Sequence, residues 1–378
     1  MFFSDVIAQE EVRDHLIHAV NNNRLSHAMI FLAPEGAGGL PLALAFTQYL
    51  VCENRQEYDS CGKCSACIKA SQYIHPDIHY SYPVIPRKSG DKPISTDYAS
   101  EWREFISQQP YGNAYDWLQF IGAENKQGNI TTHECQDIIR KLSLKSFESQ
   151  YKILMMWMPE YLGNEGNRLL KLIEEPPANT IFILAAENQE QILATILSRT
   201  QLVKINPLPK DAVVKALAAR NHTPEPKARQ IATIAAGNYR EATHLLQHAE
   251  NDYHELLRNW LNYIFTQNRI ALQEWVELIS NAKMGRENQK QFLRYFINLL
   301  EHSVRLQFMD RSQLAFSEEE MDFAAKLQKL ANLEQMQLIT GELDNACYHI
   351  ERNANGKMLF HALSIKLQYI FRNRPMPV

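Results

Sequence analysis

A short apolar run, a glycine-rich turn and a long apolar helix follow one another without a break near the N-terminus, and this order constrains the fold more than any other feature. Ala28-Met29-Ile30-Phe31-Leu32 is uniformly apolar, the pattern of a buried strand. Ala33 to Gly39 contains Gly36, Gly38 and Gly39 and reads as a tight turn, and Leu40 to Val51 then has helical character. Strand, glycine turn and helix in that order form the P-loop arrangement. An ordinary glycine turn is the alternative for this stretch taken alone. Two more apolar runs, Tyr151 to Met158 and Thr180 to Ala186, alternate with helical stretches at Thr131 to Leu144 and at Asn164 to Glu175, the latter stopped by Pro176-Pro177. Alternation of apolar strands with helices predicts an α/β chain with a parallel sheet.

Beyond Pro207 and Pro209 the character changes. Asp211 to Arg220, Lys227 to Ala236 and Arg240 to His248 read as helices, and from Asn251 onward the chain is a run of long amphipathic helices such as Gln289 to Phe308. Boundaries fall near 206 and 249. The expected domains are therefore a base domain at 1–206, a small helical domain at 207–249 and an all-α domain at 250–378. A length of 378 residues accommodates that number. His75 to Asn129, with five prolines and several aromatics, reads as a loop-rich insertion.

The 45% hydrophobic content suffices for real cores, and the formal net charge of -4 excludes a histone-like polycation. Any nucleic-acid contact must use a local basic face. Arg140, Lys141 and Lys145 form such a stripe, with a solvated helical face as the plainer reading. No run of about 18 apolar residues occurs, and the acidic N-terminal stretch lacks the pattern of a signal peptide, so a cytoplasmic location is expected.

Cys52, Cys61, Cys64 and Cys67 have the spacing C-x8-C-x2-C-x2-C, which suits four thiolates around a structural Zn²⁺. An iron–sulfur site is the chemical rival, but it favours a further downstream cysteine followed by proline, and none follows Cys67 closely. A closed four-sulfur shell leaves no position for metal catalysis. Cys135 and Cys347 are expected to be buried small hydrophobes, and His75 and His79 ordinary loop histidines.

A working P-loop has the form G-x-x-x-x-G-K-[ST], in which the lysine reaches the phosphates and the hydroxyl holds Mg²⁺. Here Ala33-Pro34-Glu35-Gly36-Ala37-Gly38-Gly39-Leu40 keeps the turn glycines, but Gly39 replaces the lysine and Leu40 the hydroxyl. At the end of the next apolar strand, Met156 and Trp157 stand where Mg²⁺-holding acids belong, and neither side chain ligates Mg²⁺. Two separate losses point to an ATPase frame without its own chemistry and without bound ATP.

The order of elements, the cysteine insertion after the P-loop helix, Leu169-Leu170-Lys171-Leu172-Ile173-Glu174-Glu175-Pro176-Pro177 and Thr195-Ile196-Leu197-Ser198-Arg199-Thr200 together resemble the bacterial clamp-loader subunits of DNA polymerase III over residues 1–245. The resemblance implies an AAA+ base domain with a zinc module at 52–67, a helical lid and a helical collar that joins five subunits in a ring. It implies a role in loading the sliding clamp onto primed DNA, with gamma/tau motor subunits and a delta subunit as partners. The missing lysine and acids make the chain similar to the non-hydrolysing delta-prime type. Thr200 departs from the usual Cys of the family's Ser-Arg-Cys segment. Within that context Arg199, beside Ser198, is expected to act as an arginine finger on a neighbour's ATP; without it, Arg199 reads as a surface residue. Arg240 occupies the place of a second phosphate-sensing arginine, with a purely structural role as the equal alternative. Two rival functions remain open: a motor subunit with an atypical ATP site, and a free-standing zinc-dependent DNA-binding protein. The acidic balance and the lack of base-reading motifs weigh against the latter.

Overall fold

Five short strands close into one parallel sheet. β1 (Ala28–Leu32), β2 (Ile78–Ser81), β3 (Lys152–Trp157), β4 (Thr180–Ala186) and β5 (Gln201–Lys204) lie side by side in the order β2-β3-β4-β1-β5. The structure is a computed structural model, and it describes residues 1–88, 90–123, 127–247, 253–281, 284–306, 318–352 and 354–372. Every ladder is parallel, and Met156 of β3 stands beside Leu184 of β4. The central strands are buried along their whole length on both faces, as expected of a sheet covered by helices on each side. Alternate residues feed two cores. Phe31, Met155, Trp157 and Ile183 join the core under the long helix Gly39–Val51, whereas Ile30, Leu154, Met156 and Leu184 face the helix Thr132–Ser143 and the Leu162–Ile173 region. The architecture is the AAA+ P-loop type.

The sequence reading finds the three central strands and misses the outer two. β2 lies inside the stretch read as a loop-rich insertion, which also contains helices at Ala99–Gln108 and Ala114–Phe120. The stretch expected as one helix from Asn164 to Glu175 is instead a 3₁₀ segment, Pro159–Leu169, leading into a short α-helix, Leu170–Glu174; Gly163 breaks helical geometry with φ 50°.

By internal contacts the chain divides into two compact units, Met1–Leu246 and Gln247–Val378. Within the first, the helices Lys210–Asn221, Glu225–Ala235 and Tyr239–Gln247 form a small bundle whose core contains Val213, Leu217, Ala228 and Ala232, joined by Ile7 and Tyr111 from the sheet-bearing part. The expected boundary near 249 lies outside the described residues, as does the expected helix end at Phe308. The second unit is all-helical among the described residues. Its core centres on Trp260 and Trp275, whose rings stack at 4.9 Å, and the Trp260 indole N–H donates to Ser364 Oγ at 2.9 Å. No helix among the described residues is long and apolar enough to cross a membrane.

Candidate functional site

The glycine turn sits at the carboxyl end of β1, where parallel α/β sheets hold their ligands. Gly36 and Gly38 take φ +68° and +96°, values that L side chains rarely adopt. Gly38 caps the N-terminus of the helix Gly39–Val51. A Cβ at Gly36 would lie 1.8 Å from Asn238 Oδ1, and a Cβ at Gly39 would lie 2.7 Å from the Cβ of Ala33. The backbone at the lysine position is therefore pressed against its neighbour, and Leu40 points into the core at 6% exposure.

Aromatic side chains pack close behind the glycine turn. Trp157, at the end of β3, is 2% exposed and lies 5.2 Å from Trp102 and 5.9 Å from Phe105, ring to ring. Both partners come from the helix Ala99–Gln108 of the insertion, and Tyr82 stacks on Trp102 at 4.1 Å. From the same insertion, the Tyr111 ring would stand 3.2 Å from a Cβ at Gly38. Tyr111 also accepts the Ile7 N–H at 2.7 Å. What remains between Gly36, Gly38, Tyr111, Trp157 and Ala185 is a cavity of about 20 Å³. That volume holds about one water molecule, against roughly 300 Å³ or more for a small-molecule site.

Charged groups close the rim. Arg240, 2% exposed, forks onto Asp116 with Nε–Oδ2 2.5 Å and Nη2–Oδ1 2.6 Å, and its Nη1 donates to Glu35 Oε1 at 3.0 Å. Arg240 is thus a buried ion-pair partner of Asp116 and Glu35. Asp116 is a participant that sequence reasoning missed. No local signal marks it beyond the Asn113 cap of its helix, with which it forms a reciprocal capping box.

The four clustered cysteines do converge. Their sulfurs all lie within 4.8 Å of one another, and Cys61 and Cys67 stand 3.9 Å apart. Zn–S bonds of about 2.3 Å in a tetrahedron give S···S separations of about 3.8 Å. Backbone N–H groups point at the sulfurs, from Cys61 to Cys52 at 3.3 Å and from Cys67 to Cys64 at 3.4 Å. The N–H groups of Lys63 and Cys64 bring the Cys61 thiol down to about 6. This donor set fits a tetrahedral metal ion. Cys135 is buried as expected, while Cys347 is only half-buried.

His75 departs from the loop-histidine expectation. It is buried, its Nδ1 accepts the Asp77 N–H at 3.1 Å, and Asp77 in turn accepts the N–H groups of Phe147, Glu148 and Ser149. Those N–H groups hold the Asp77 carboxyl below its ordinary range although burial opposes them. The basic stripe is partly neutralised, since Arg140 and Lys141 pair with Asp137 at 2.5 and 2.6 Å.

Arg199 follows the short helix Ala194–Leu197 and is about one-third exposed. Its Nη1 donates to Thr195 O at 2.9 Å and to Ser198 Oγ at 3.1 Å, and its Nε pairs with Glu174 of the Leu170–Glu174 helix. The guanidinium is thus held from one side, and Nη2 has no partner among the described residues.

Comparison with known proteins agrees with this frame. The family model described as "DNA polymerase III, delta subunit" matches residues 8–209. The chain belongs to this family of DNA polymerase III subunits. The tau subunit of Bacillus subtilis is 26% identical over 253 residues, covering 65% of the chain but only 37% of that longer protein. The delta' subunit of Escherichia coli is 24% identical over 295 residues, covering 77% of the chain and 74% of its own length. A solved gamma subunit-related protein from Thermotoga maritima aligns over 97% of this chain and 99% of its own with 14% identity and a TM-score of 0.42. The matched span of this DNA polymerase III family member contains the glycine turn, the four cysteines and Arg199.

Proposed function

We propose that the chain is a delta-prime-type, non-hydrolysing subunit of the DNA polymerase III clamp loader. It neither binds nor hydrolyses ATP. It works in a ring with gamma/tau motor and delta subunits to load the sliding clamp onto primed DNA. The observation that carries this reading is the filled P-loop: Gly39, buried Leu40 and buried Trp157 stand where the ATP-handling groups belong, around a cavity of about 20 Å³. Relatives named delta' and relatives named gamma or tau match at similar identity, so the assignment to the delta-prime type rests on those residues.

In this reading Arg199 acts in trans. Thr195, Ser198 and Glu174 hold its Nε and Nη1, and an arginine so held can make directed hydrogen bonds to a neighbour's phosphate oxygens. Ser198 serves as a positioning residue. Residues 207–249 form the lid and 250–378 the collar through which subunits join. Cys52, Cys61, Cys64 and Cys67 hold one structural Zn²⁺, which supports local folding and takes no part in catalysis. The protein acts in the cytoplasm.

Two measurements test the reading. Calorimetric titration of the isolated chain with ATP–Mg²⁺ is expected to show no binding, and a micromolar Kd would overturn the nucleotide-free assignment. In a reconstituted loader Arg199→Ala is expected to leave assembly intact and to lower clamp- and DNA-stimulated ATP hydrolysis by the motor subunits. Single arginine fingers contribute about 10³–10⁵ in GTPases, and a smaller loss, of about 10-fold or more, is expected where several sites share the work. Normal hydrolysis and loading by an assembled Arg199→Ala loader would make Arg199 a surface residue.

A further inference from the structure

The insertion packs aromatic rings into the core and also carries a charge, and where that charge sits gives the segment a task. The structure assigns Asp116, assisted by Glu35, as an internal anion that holds Arg240 and latches the helical bundle 210–247 onto the sheet-bearing part without nucleotide.

Three segments far apart in sequence meet at this point. Glu35 comes from the turn itself, Asp116 from the insertion helix Ala114–Phe120, and Arg240 from the start of the bundle helix Tyr239–Gln247. The Asp116 carboxylate takes the guanidinium of Arg240 in a two-point fork, the geometry a phosphate would also offer.

The carboxylates are held in place independently of the arginine. Asn113 donates its backbone N–H to Asp116 Oδ2 at 3.1 Å, and its Nδ2 reaches Glu35 Oε2 at 3.1 Å. Asn238, the bundle residue that blocks a Cβ at Gly36, donates to Glu35 Oε1 at 3.2 Å. The Tyr239 N–H donates to Gly36 O at 3.1 Å, so bundle and turn also share a backbone hydrogen bond. His244 Nε2 lies 3.7 Å from Asp116 Oδ1, a second potential cation from the same bundle helix.

Burial makes this arrangement a latch. Arg240 and Asp116 have side chains only 2% and 5% exposed. Removing one member of such a pair leaves the other charge buried and unmatched, which is far more costly than breaking a surface pair. With Arg240 committed to carboxylates, the bundle's position no longer depends on whether a nucleotide arrives.

The experiment is hydrogen exchange by mass spectrometry on the full chain. In wild type, the amides of the bundle helices Lys210–Asn221 and Glu225–Ala235 are expected to be protected, and ATP–Mg²⁺ or tripolyphosphate is expected to leave them unchanged. Asp116→Asn keeps the side-chain shape and removes the charge, and it should accelerate those amides by about 100-fold. Arg240→Lys keeps the charge and loses the fork, and should also accelerate them, by about 10-fold. The double variant Asp116→Asn/Arg240→Met should exchange no faster than the more affected single variant, as expected for two ends of one interaction. Asp211→Asn removes an exposed charge of the same bundle and should change nothing. If Asp116→Asn disrupts the fold, seen as loss of the near-ultraviolet tryptophan signal, Arg240→Lys decides alone. Wild-type exchange in a folded Asp116→Asn or Arg240→Lys chain would overturn the latch. The inference rests on the nucleotide-free reading only in that no ligand competes for Arg240. ATP binding by wild type would sink that reading, and exchange of the ligand-free variants would still judge the latch.

Discussion

Replacing Trp157 with aspartate, the residue type a working site would carry, is expected to damage the base domain and restore nothing. Trp157 is 2% exposed and touches Trp102 and Phe105, so truncating it removes one of the larger apolar contacts beneath the P-loop helix. Loss of a buried tryptophan side chain costs about 3–5 kcal/mol, and a carboxyl group left there without a partner adds about 1–3 kcal/mol. A loss of about 4 kcal/mol or more is a large part of the roughly 5–15 kcal/mol that keeps a domain folded. Trp157→Phe retains a ring and should lose only about 1–2 kcal/mol. Urea unfolding of the full chain, followed by near-ultraviolet circular dichroism of the clustered tryptophans, reads both variants. Adding Gly39→Lys should not help, because any Cβ at position 39 meets the Cβ of Ala33 at 2.7 Å. The reasoning fails if Trp157→Asp melts like wild type, or if Gly39→Lys/Trp157→Asp binds ATP–Mg²⁺ with micromolar affinity.

Cys64→Ser should abolish stoichiometric zinc, measured by elemental analysis of the purified chain, and loosen the segment 52–71 while leaving the helical C-terminal unit intact; full zinc content in this variant would exclude Cys64 as a ligand. Burial, with Arg305 adding to it, holds His302 at about 4 against an ordinary 6.5. Its folded value is depressed, so the neutral imidazole contributes stability that is present above 6.5 and is lost as pH falls towards about 4. Linkage puts the loss at about 2 kcal/mol between about pH 7 and about pH 5, and His302→Gln should flatten that part of the melting profile. Glu174→Gln should leave stability within about 1 kcal/mol of wild type, because the pair is solvent-exposed, yet reduce loader ATP hydrolysis in the same direction as Arg199→Ala. The fragment 247–378 should fold by itself with a cooperative melt, since it holds its own core around Trp260 and Trp275.

What could be read from the sequence was contiguous. β1, β3 and β4 are buried on both faces along nearly their whole length and therefore, after Lys152 and Thr180 at the starts of β3 and β4, appear as apolar runs. β2 and β5 lie at the two sheet edges, where Ile-His-Tyr-Ser and Gln-Leu-Val-Lys need not be apolar throughout, and neither run stands out from a loop. The same distinction governs the site. The glycine turn and the four cysteines are local patterns whose spacing carries their geometry. The pairs that close the site are not local: Arg240 meets Asp116 across 124 positions, and Arg199 meets Glu174 across 25. Charges so far apart have no spacing to betray them, so Arg240 could be placed near the turn by resemblance while its partner stayed hidden.

The replaced residues of the glycine turn and of β3 also make one physical change. Trp157, at the end of β3, packs against Trp102 and Phe105 supplied by the insertion. The same insertion sets Tyr111 over Gly38 and Asp116 against Arg240. Removing an acid from β3 without that cover would leave a cavity, and adding the cover with the acid still in place would bury an unpaired charge. The aromatic insertion and the altered strand end therefore depend on each other. In the proposed nucleotide-free reading, reverting one side chain would not open a site, because Trp157, Trp102, Phe105 and Tyr111 form one packed cluster drawn from the strand and the insertion.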